Sequence, residues 1–195
     1  MTTFPKPRVD ALTDGIFAFA MTLLILDVRL PLDVPLRDAS ELIARLRALW
    51  PEYLAYVISF FVLAGQWRND VALRHSEDVS GDVLWWTILY LFFITSVPFS
   101  SSVVGLHGNL PPAVWLYAAN LFIVGALSLR LRTSQVAPEH RLRARIGATH
   151  TLFFMATALL SALVSLVEPG YAMYAYLLNF AAGPLSDRLH RPRAS

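Results

Sequence analysis

The sequence contains no cysteine and few charged residues. The absence of cysteine excludes disulfides, thiol catalysis and metal sites built from thiolates. Charged residues make up 15% of the chain and hydrophobic residues 56%, whereas about a quarter of a typical soluble domain is charged. So little charge cannot keep a folded surface soluble in water. The composition therefore predicts an integral membrane protein whose surroundings are the lipid bilayer.

Sequence motifs of enzymes, cofactor sites and ordinary potassium channels are also missing. There is no glycine-rich phosphate loop, no His-Glu-x-x-His helix and no Gly-x-Ser-x-Gly elbow. The Thr-Val-Gly-Tyr-Gly selectivity filter is absent too. A net charge of +2, with basic residues spread among loops, argues against nucleic acid as a partner. The histidines lack metal-ligand spacing, so we expect no catalytic residues, no cofactor and no metal site.

Six hydrophobic segments are candidates for membrane-spanning helices. A hydrocarbon core about 30 Å thick needs roughly 20 helical residues to cross it. The candidates are residues 9–30, 50–67, 83–104, 111–129, 146–167 and 170–186. No charged residue occurs from Val83 to Leu129, and the glycine- and proline-rich stretch 105–112 predicts a tight turn inside that range. We expect one all-α polytopic domain covering residues 1–195.

The segment between the first two spans is amphipathic. Leu42, Ile43, Leu46 and Leu49 follow helical spacing, and Asp38 or Ser40 is a candidate N-cap. The favoured interpretation is an ordinary connecting helix, and the alternative is a helix that lies at the membrane interface.

Basic residues indicate how the spans are oriented, because cytoplasmic loops carry an excess of lysine and arginine. With six spans and the N-terminus inside, the outer segments hold only Arg29, Arg37, Arg45 and Arg47. The twelve basic residues on the inner side are Lys6, Arg8, Arg68, Arg74, Arg130, Arg132, Arg141, Arg143, Arg145, Arg188, Arg191 and Arg193. This asymmetry predicts that both termini face the cytoplasm.

The first span carries an apolar stripe with a repeat of alternating four and three residues. The stripe consists of Leu12, Ile16, Phe19, Leu23, Leu26 and Leu30. One interpretation is a packing seam between helices, which is the commoner case. The other is a ring of side chains around a central axis, which forms a hydrophobic constriction for ions. Thr22 and Asp27 flank the stripe on opposite sides and are candidates to contact a passing ion.

Asp14 lies on a different face of the first span. It precedes Phe19 by five residues, which places it about 140° around the helix. A buried carboxylate in a membrane requires polar partners. Arg8 and Thr13 are near it in the sequence. We therefore favour a hydrogen-bonded knot between helices over an ion site.

The first span also resembles a known family. Arg8-Val-Asp-Ala-Leu-Thr-Asp14-Gly15 resembles the Arg-x-x-x-Phe-Ser-Asp-Gly signature of the potassium channels related to lysosomal transmembrane protein 175. The segment Ile16–Asp27, the opening Trp50-Pro-Glu-Tyr-Leu-Ala-Tyr56 of the second span and Val97-Pro98-Phe99, placed at the end of the third, are similar to that family as well. The resemblance covers most of the chain. A single six-span repeat is similar to the prokaryotic members, which assemble as tetramers.

The resemblance implies a homotetrameric potassium channel in the cell membrane, with the first helix of each subunit lining the pore. The implied pathway residues are Phe19, Thr22, Leu23, Leu26 and Asp27. The implied knot consists of Arg8, Leu12, Thr13 and Asp14, where Leu12 and Thr13 replace the family's Phe and Ser. The second span ends Trp67-Arg68-Asn69-Asp70 in place of a tryptophan followed by paired histidines, so Trp67 and Asn69 are candidate partners for the knot.

Two other functions remain open on the sequence alone. A small transporter would use Asp14 or Asp27 to carry a proton or a coupling ion at a discontinuous helix. Pro98 and Gly105 are the candidate helix breakers, but Pro98 lies near a predicted span end. A structural or assembly protein would use the apolar stripe only for packing.

Overall fold

The computed structural model describes residues 3–30, 38–71, 78–135 and 141–179. Within these ranges the chain is almost entirely helical. The α-helices are α1 (Lys6–Leu23), α2 (Ala39–Ala48), α3 (Trp50–Val71), α4 (Gly81–His107), α5 (Pro111–Gln135) and α6 (Arg141–Val164). A 3₁₀ segment, Leu24–Asp27, continues α1, and a second, Pro169–Leu177, follows α6. The all-α fold class predicted from the sequence is confirmed.

A short β-ribbon joins the start of α1 to the start of α4. Strand β1 (Thr3–Pro5) pairs antiparallel with strand β2 (Asp78–Ser80), and Phe4 lies opposite Val79. The ribbon was not predicted, since three-residue strands are too short to show an alternating pattern. It places the starts of α1 and α4 at the same end of the bundle.

Within the described ranges, three helical segments are long and apolar enough to cross a membrane: Lys6–Asp27, Gly81–His107 and Pro111–Arg132. A fourth is added if α2 and α3, which meet at a 49° bend, are counted as one span. The apolar part of α6 is the shorter stretch Ala148–Val164. The last predicted span begins as the 3₁₀ segment Pro169–Leu177, and its remainder from 180 to 186 lies outside the described residues. The count of six spans therefore stays a prediction.

Pro98 lies inside α4, and the expectation that it sits near the end of a span is wrong. The helix continues past it to His107. Proline removes one helical hydrogen bond, but the neighbouring Ile94 and Val97 are fully buried, so packing holds this part of α4. The transporter interpretation named Pro98 and Gly105 as candidate helix breakers. The helix is not broken at Pro98.

The amphipathic connector is the helix α2, as predicted. Asp38 is its N-cap, and the carboxylate accepts a hydrogen bond of 2.8 Å from the backbone N–H of Glu41. The hydroxyl of Ser40 donates a second bond to the same carboxylate, and these bonds lower the pKa of Asp38 below its usual value. Helix α3 begins at Trp50, close to the predicted start.

Helix α4 occupies the middle of the bundle and packs on α1, α3 and α5. At its far end, Gly105 lets the backbones of α4 and α3 come close together. A methyl group added at Gly105 would lie 3.1 Å from the Cα of Glu52, a distance that leaves no room for a larger side chain. Glycine is therefore required by the contact of the two helices, not by its backbone conformation.

A chain of hydroxyl groups connects α5, α3 and α4 inside the bundle. Ser59 donates to Ser101 at 2.8 Å, and Ser101 donates to the Ala55 carbonyl at 3.3 Å. The Tyr117 hydroxyl lies 2.7 Å from Ser59. Because the Ser59 proton is already used on Ser101, Tyr117 must be the donor to Ser59. Tyr117 and Ser59 have no exposed surface, so Ser59 is the acceptor on which the buried tyrosine depends.

This direction of donation predicts unequal costs for two conservative substitutions. Ser59→Ala leaves the buried Tyr117 hydroxyl without its acceptor, at about 1–3 kcal/mol. In Tyr117→Phe the hydroxyls of Ser59 and Ser101 still donate to their acceptors. This substitution therefore costs about 0.5–1.5 kcal/mol, the net value of one hydrogen bond. The free energy of unfolding in detergent micelles measures both. A larger loss for Tyr117→Phe than for Ser59→Ala would show that the donors run the other way.

Candidate ion pathway

Helix α1 packs against its own subunit through one face. Thr13, Phe17, Ala20 and Leu24 are buried and recur at intervals of three and four residues, as expected for one side of a helix. Phe17 has no exposed surface, and its ring centroid lies 6.1 Å from that of Tyr90 on α4. This face is directed at α3 and α4 and fixes the rotation of α1 about its axis.

The predicted apolar stripe divides into exposed and half-buried residues. Leu12, Phe19 and Leu26 recur every seven residues, and their side chains are 50%, 62% and 58% exposed. Ile16, Leu23 and Leu30, the other members, are only half-buried. The outermost line of the stripe thus has no partner helix within the described part of the subunit. A packing seam among the described residues therefore does not account for this line.

Thr22 lies on the same exposed face, between Phe19 and Leu26. Its hydroxyl donates a hydrogen bond of 2.8 Å to the Phe19 carbonyl, one turn earlier in the helix. Since the proton is used within the helix, the oxygen retains its capacity to accept, or to contact a cation. Thr22 therefore adds a hydroxyl oxygen to an otherwise apolar face.

Asp27 does not share this face. It ends the 3₁₀ segment and lines a cavity between α1, α3 and α4 together with Glu52, Tyr56, Ser101 and Ser102. One oxygen of Glu52 is buried and has no hydrogen-bond partner among the described residues. The sequence analysis missed Glu52, whose only signal was an acidic residue in the first turn of the second span.

Two carboxylates therefore lie at the same end of the bundle, on α3 and on the 3₁₀ segment that continues α1. An arginine on the same loop, Arg29, has its guanidinium 4.0 Å from the Asp27 carboxylate and is largely exposed. Negative charge raises the local concentration of cations. Because Arg29 offsets the charge of Asp27, the attraction of cations at this end depends on Glu52.

Asp14, at the opposite end, forms a hydrogen bond between two helices. Its carboxylate accepts a bond of 2.8 Å from the indole N–H of Trp67 on α3. Trp67 is one of the two partners predicted from the sequence. Thr13 is buried, but its hydroxyl donates to the Val9 carbonyl of its own helix at 2.9 Å. Arg8 and Leu12 are exposed, so of the four predicted knot residues Asp14 is the one seen to bond to α3.

The last turn of α3 also holds a second polar cluster, which the sequence analysis did not find. The Tyr90 hydroxyl donates to the Asp70 carboxylate at 2.9 Å. The Arg132 guanidinium is buried, lies 4.0 Å from the same carboxylate and donates to Ser128 at 3.4 Å. These residues come from three helices that are distant in sequence, so no local pattern joins them. The end of α3 is thereby bonded to α1, α4 and α5.

No group of three or more histidine, aspartate or glutamate side chains suited to a metal ion occurs within residues 3–30, 38–71, 78–135 and 141–179. The polar clusters at the two ends contain at most two carboxylates each. Their chemistry is that of hydrogen bonding and of attraction between charges.

Comparison with known proteins places the chain among ion channels. The family described as Endosomal/lysosomal potassium channel TMEM175 matches residues 8–98. A potassium channel of Chamaesiphon minutus is 30% identical over 149 residues, which cover 73% of this chain and 71% of that protein. A potassium channel of Streptomyces collinus is 36% identical over 99 residues, or 50% of this chain and 46% of that protein. The rat endosomal/lysosomal proton channel TMEM175 is 35% identical over 99 residues, or 48% of this chain and 20% of that protein.

A solved structure has the same fold. The crystal structure of a lysosomal potassium-selective channel TMEM175 homolog from Chamaesiphon minutus aligns with a TM-score of 0.76, covering 93% of this chain and 97% of that chain at 23% identity. With several helices long enough to cross a bilayer, these matches indicate a multi-pass membrane protein. The chain therefore belongs to the TMEM175 family, whose matched members are named as ion channels and not as enzymes.

Proposed function

We propose that this protein is a homotetrameric potassium channel of the cell membrane, in which α1 of each subunit lines the pore. The observation that carries the proposal is the apolar face of α1 formed by Leu12, Phe19 and Leu26, which is exposed along the helix although the opposite face is buried. The names of the bacterial relatives support potassium as the ion. The proposal includes one domain of six spans with both termini in the cytoplasm.

The proposal uses four copies of α1 because the exposed apolar line lies on one face of a single helix. A single helix face cannot enclose a pore, whereas closed cyclic symmetry brings identical faces around one axis. In this arrangement Phe19 and Leu26 project toward the axis, with Leu23 at the flank and Thr22 between them. The carboxylates of Asp27 and Glu52 lie at the outer end, where Glu52 raises the concentration of cations.

Selection in such a pore follows from dehydration. An ion that passes Phe19, Leu23 and Leu26 sheds water without receiving protein oxygens in exchange. Sodium holds its water more strongly than potassium, so an apolar ring favours potassium. Thr22 supplies the nearest hydroxyl oxygen.

A coupled transporter of ions or protons is the second candidate. The buried oxygen of Glu52 beside Asp27 favours it, because paired carboxylates can exchange protons with a coupling ion. The naming of vertebrate relatives as proton channels makes protons a further ion to test.

Recordings from purified protein in planar bilayers separate these candidates. Unitary potassium currents support the channel, whereas flux that occurs only with a coupled proton gradient supports the transporter.

Polar substitution of the apolar ring is expected to increase the current. Leu26→Asn supplies amide oxygens to an ion in transit, and a barrier lowered by about 1 kcal/mol raises conductance about fivefold. The preference for potassium over sodium falls at the same time, since dehydration no longer separates the two ions. Single-channel conductance and the reversal potential under mixed-ion conditions measure both effects.

The matched control is Leu163→Asn on α6, a leucine with similar exposure, 61% against 58% for Leu26. It is expected to leave conductance and selectivity unchanged. If Leu26→Asn and Leu163→Asn behave alike, the exposed face of α1 does not line the pore.

The fourfold arrangement predicts which positions form crosslinks. The chain has no cysteine, so any disulfide crosslink must form at the single cysteine that is introduced. Leu26→Cys is expected to yield covalent dimers on mild oxidation, within a particle of four-chain mass in detergent. Leu163→Cys is expected to yield few. A monodisperse monomer that conducts ions after reconstitution would contradict the tetramer.

The hydrogen bond between Asp14 and Trp67 is expected to stabilise the protein without selecting ions. A double-mutant cycle of Asp14→Ala and Trp67→Phe isolates the bond, and its coupling energy is expected to be about 1 kcal/mol, since the indole is partly exposed. Unfolding in detergent measures the coupling. The permeability ratio of potassium to sodium should stay constant in both single variants. Zero coupling together with altered selectivity would instead place Asp14 in the ion pathway.

A further inference from the structure

Helix α2 has no buried residue in the structure. Its sequence, Ala39–Ala48, is amphipathic, yet every side chain is exposed or half-buried. Ile43 and Leu46 are 50% and 52% exposed. The helix touches the rest of the protein mainly through the start of α3, from which it bends away by 49°. Its apolar face is therefore not covered by the described part of the subunit.

The arrangement of residues around α2 indicates what covers that face. At 100° per residue, Leu42, Ile43, Leu46 and Leu49 fall within an arc of about 120°. Arg45 and Arg47 lie on opposite sides of this arc, each about 40° beyond its edge. The far side of the helix carries Ala44, Ala48 and Glu41. An apolar arc bordered by an arginine on each side fits the surface of a phospholipid bilayer. The arc can contact the acyl chains while the arginines reach the negatively charged phosphates above them.

The start of α3 supports the same surroundings. Trp50 and Tyr53 are 54% and 46% exposed and follow α2 directly. Tryptophan and tyrosine concentrate where the acyl chains meet the headgroups. Arg47 precedes Trp50 by three residues, and the two lie on either side of the bend between α2 and α3. The arginine and the aromatic pair are thus close together in the chain where the two helices join.

The two arginines differ in their contacts. Arg45 forms an ion pair with Glu41 one turn earlier. Arg47 is exposed, and no protein carboxylate among the described residues is paired with it in the structure. A guanidinium can bind phosphate oxygens through two parallel hydrogen bonds. Arg47 is therefore the better placed of the two to bind a lipid phosphate.

We propose that α2 is a lipid-binding helix that lies on the outer surface of the bilayer, with its apolar arc in the acyl boundary and Arg47 on phospholipid phosphates. This goes beyond ion conduction and does not depend on it. It requires that α3 crosses the membrane, and its outer location rests on the orientation given under the proposed function. The function of α2 is then to fix the depth of the start of α3, where Glu52 and Asp27 line one cavity.

Collision rates of nitroxide spin labels test the proposal. Single cysteines replace Leu46, in the arc, and Ala44, about 160° from its centre, and the labelled full chain is reconstituted in vesicles of phosphatidylcholine and phosphatidylglycerol. Oxygen, which concentrates in the membrane, is expected to collide more often at position 46. A water-soluble nickel complex is expected to collide more often at position 44. If the Leu46→Cys variant does not fold, the same measurement is made at Ile43.

Two results would overturn the proposal. Nickel dominance at both positions means that α2 stands in water. Shielding of position 46 from both reagents means that protein covers the arc, such as a second subunit.

The arginine is tested with the label at position 46. Arg47→Gln should shift the label toward the water, and Arg47→Lys should leave it nearer its original depth. An unchanged depth in Arg47→Gln would show that this arginine does not hold the helix on phosphate.

Discussion

Hydrocarbon offers no hydrogen bonds, so a polar side chain inside the bundle is stabilised when it finds its partner in the protein. This constraint decides how the helices are placed. Tyr117, Ser59 and Ser101 link α5, α3 and α4 through successive donated protons. Trp67 links α3 to α1 at Asp14. Since apolar packing alone permits helices to slide or rotate in a membrane, these directional bonds fix the register between neighbours.

The last turn of α3 concentrates several of these bonds. Trp67 and Asp70 are three residues apart and therefore lie on adjacent positions of one helix face. Trp67 bonds to α1, whereas Asp70 accepts from Tyr90 on α4 and lies near Arg132 on α5. One turn of helix thus sets the position of the N-terminal half of α1 relative to the centre of the bundle. With the rotation of α1 fixed, the face that carries Phe19 and Leu26 is left uncovered by the other described helices.

The sequence was sufficient for features that depend on composition or on short repeats. The apolar spans α4 and α5, the N-cap at Asp38 and the separate location of Asp14 follow from local patterns, and the structure contains them. Features that depend on contacts distant in sequence did not follow. Glu52 and Asp27 line one cavity between α1, α3 and α4, and nothing in the local sequence of either acid indicates this.

Helical periodicity also left the stripe of α1 incompletely resolved. It identifies the apolar residues of the stripe but not which of them pack against neighbouring helices and which are exposed. Ile16 packs against the core, while Phe19 is exposed, and this difference comes from where α3 and α4 happen to lie. The position of Asp27 was predicted from α-helical geometry at 100° per residue. The 3₁₀ segment Leu24–Asp27 has a different angle per residue, so the predicted position on the flank of the stripe does not apply.

Exposure alone does not separate a pore face from a lipid face, because α4 and α6 expose large apolar residues too. The exposed line of α4 includes bulky aromatics, Trp85, Phe92 and Phe99, which suit contact with acyl chains. The small residue Thr95 is exposed between the last two of them, as Thr22 is between Phe19 and Leu26, so only the proposed assembly distinguishes the two faces. On α1, small exposed residues lie between Leu12, Phe19 and Leu26, and those residues are Gly15, Ala18 and Thr22. Around a fourfold axis, large side chains two turns apart form narrow rings, and the small residues between them leave wider space in which an ion can keep its water. In the proposed tetramer this spacing divides the pathway into brief dehydrated steps that alternate with wider, hydrated segments.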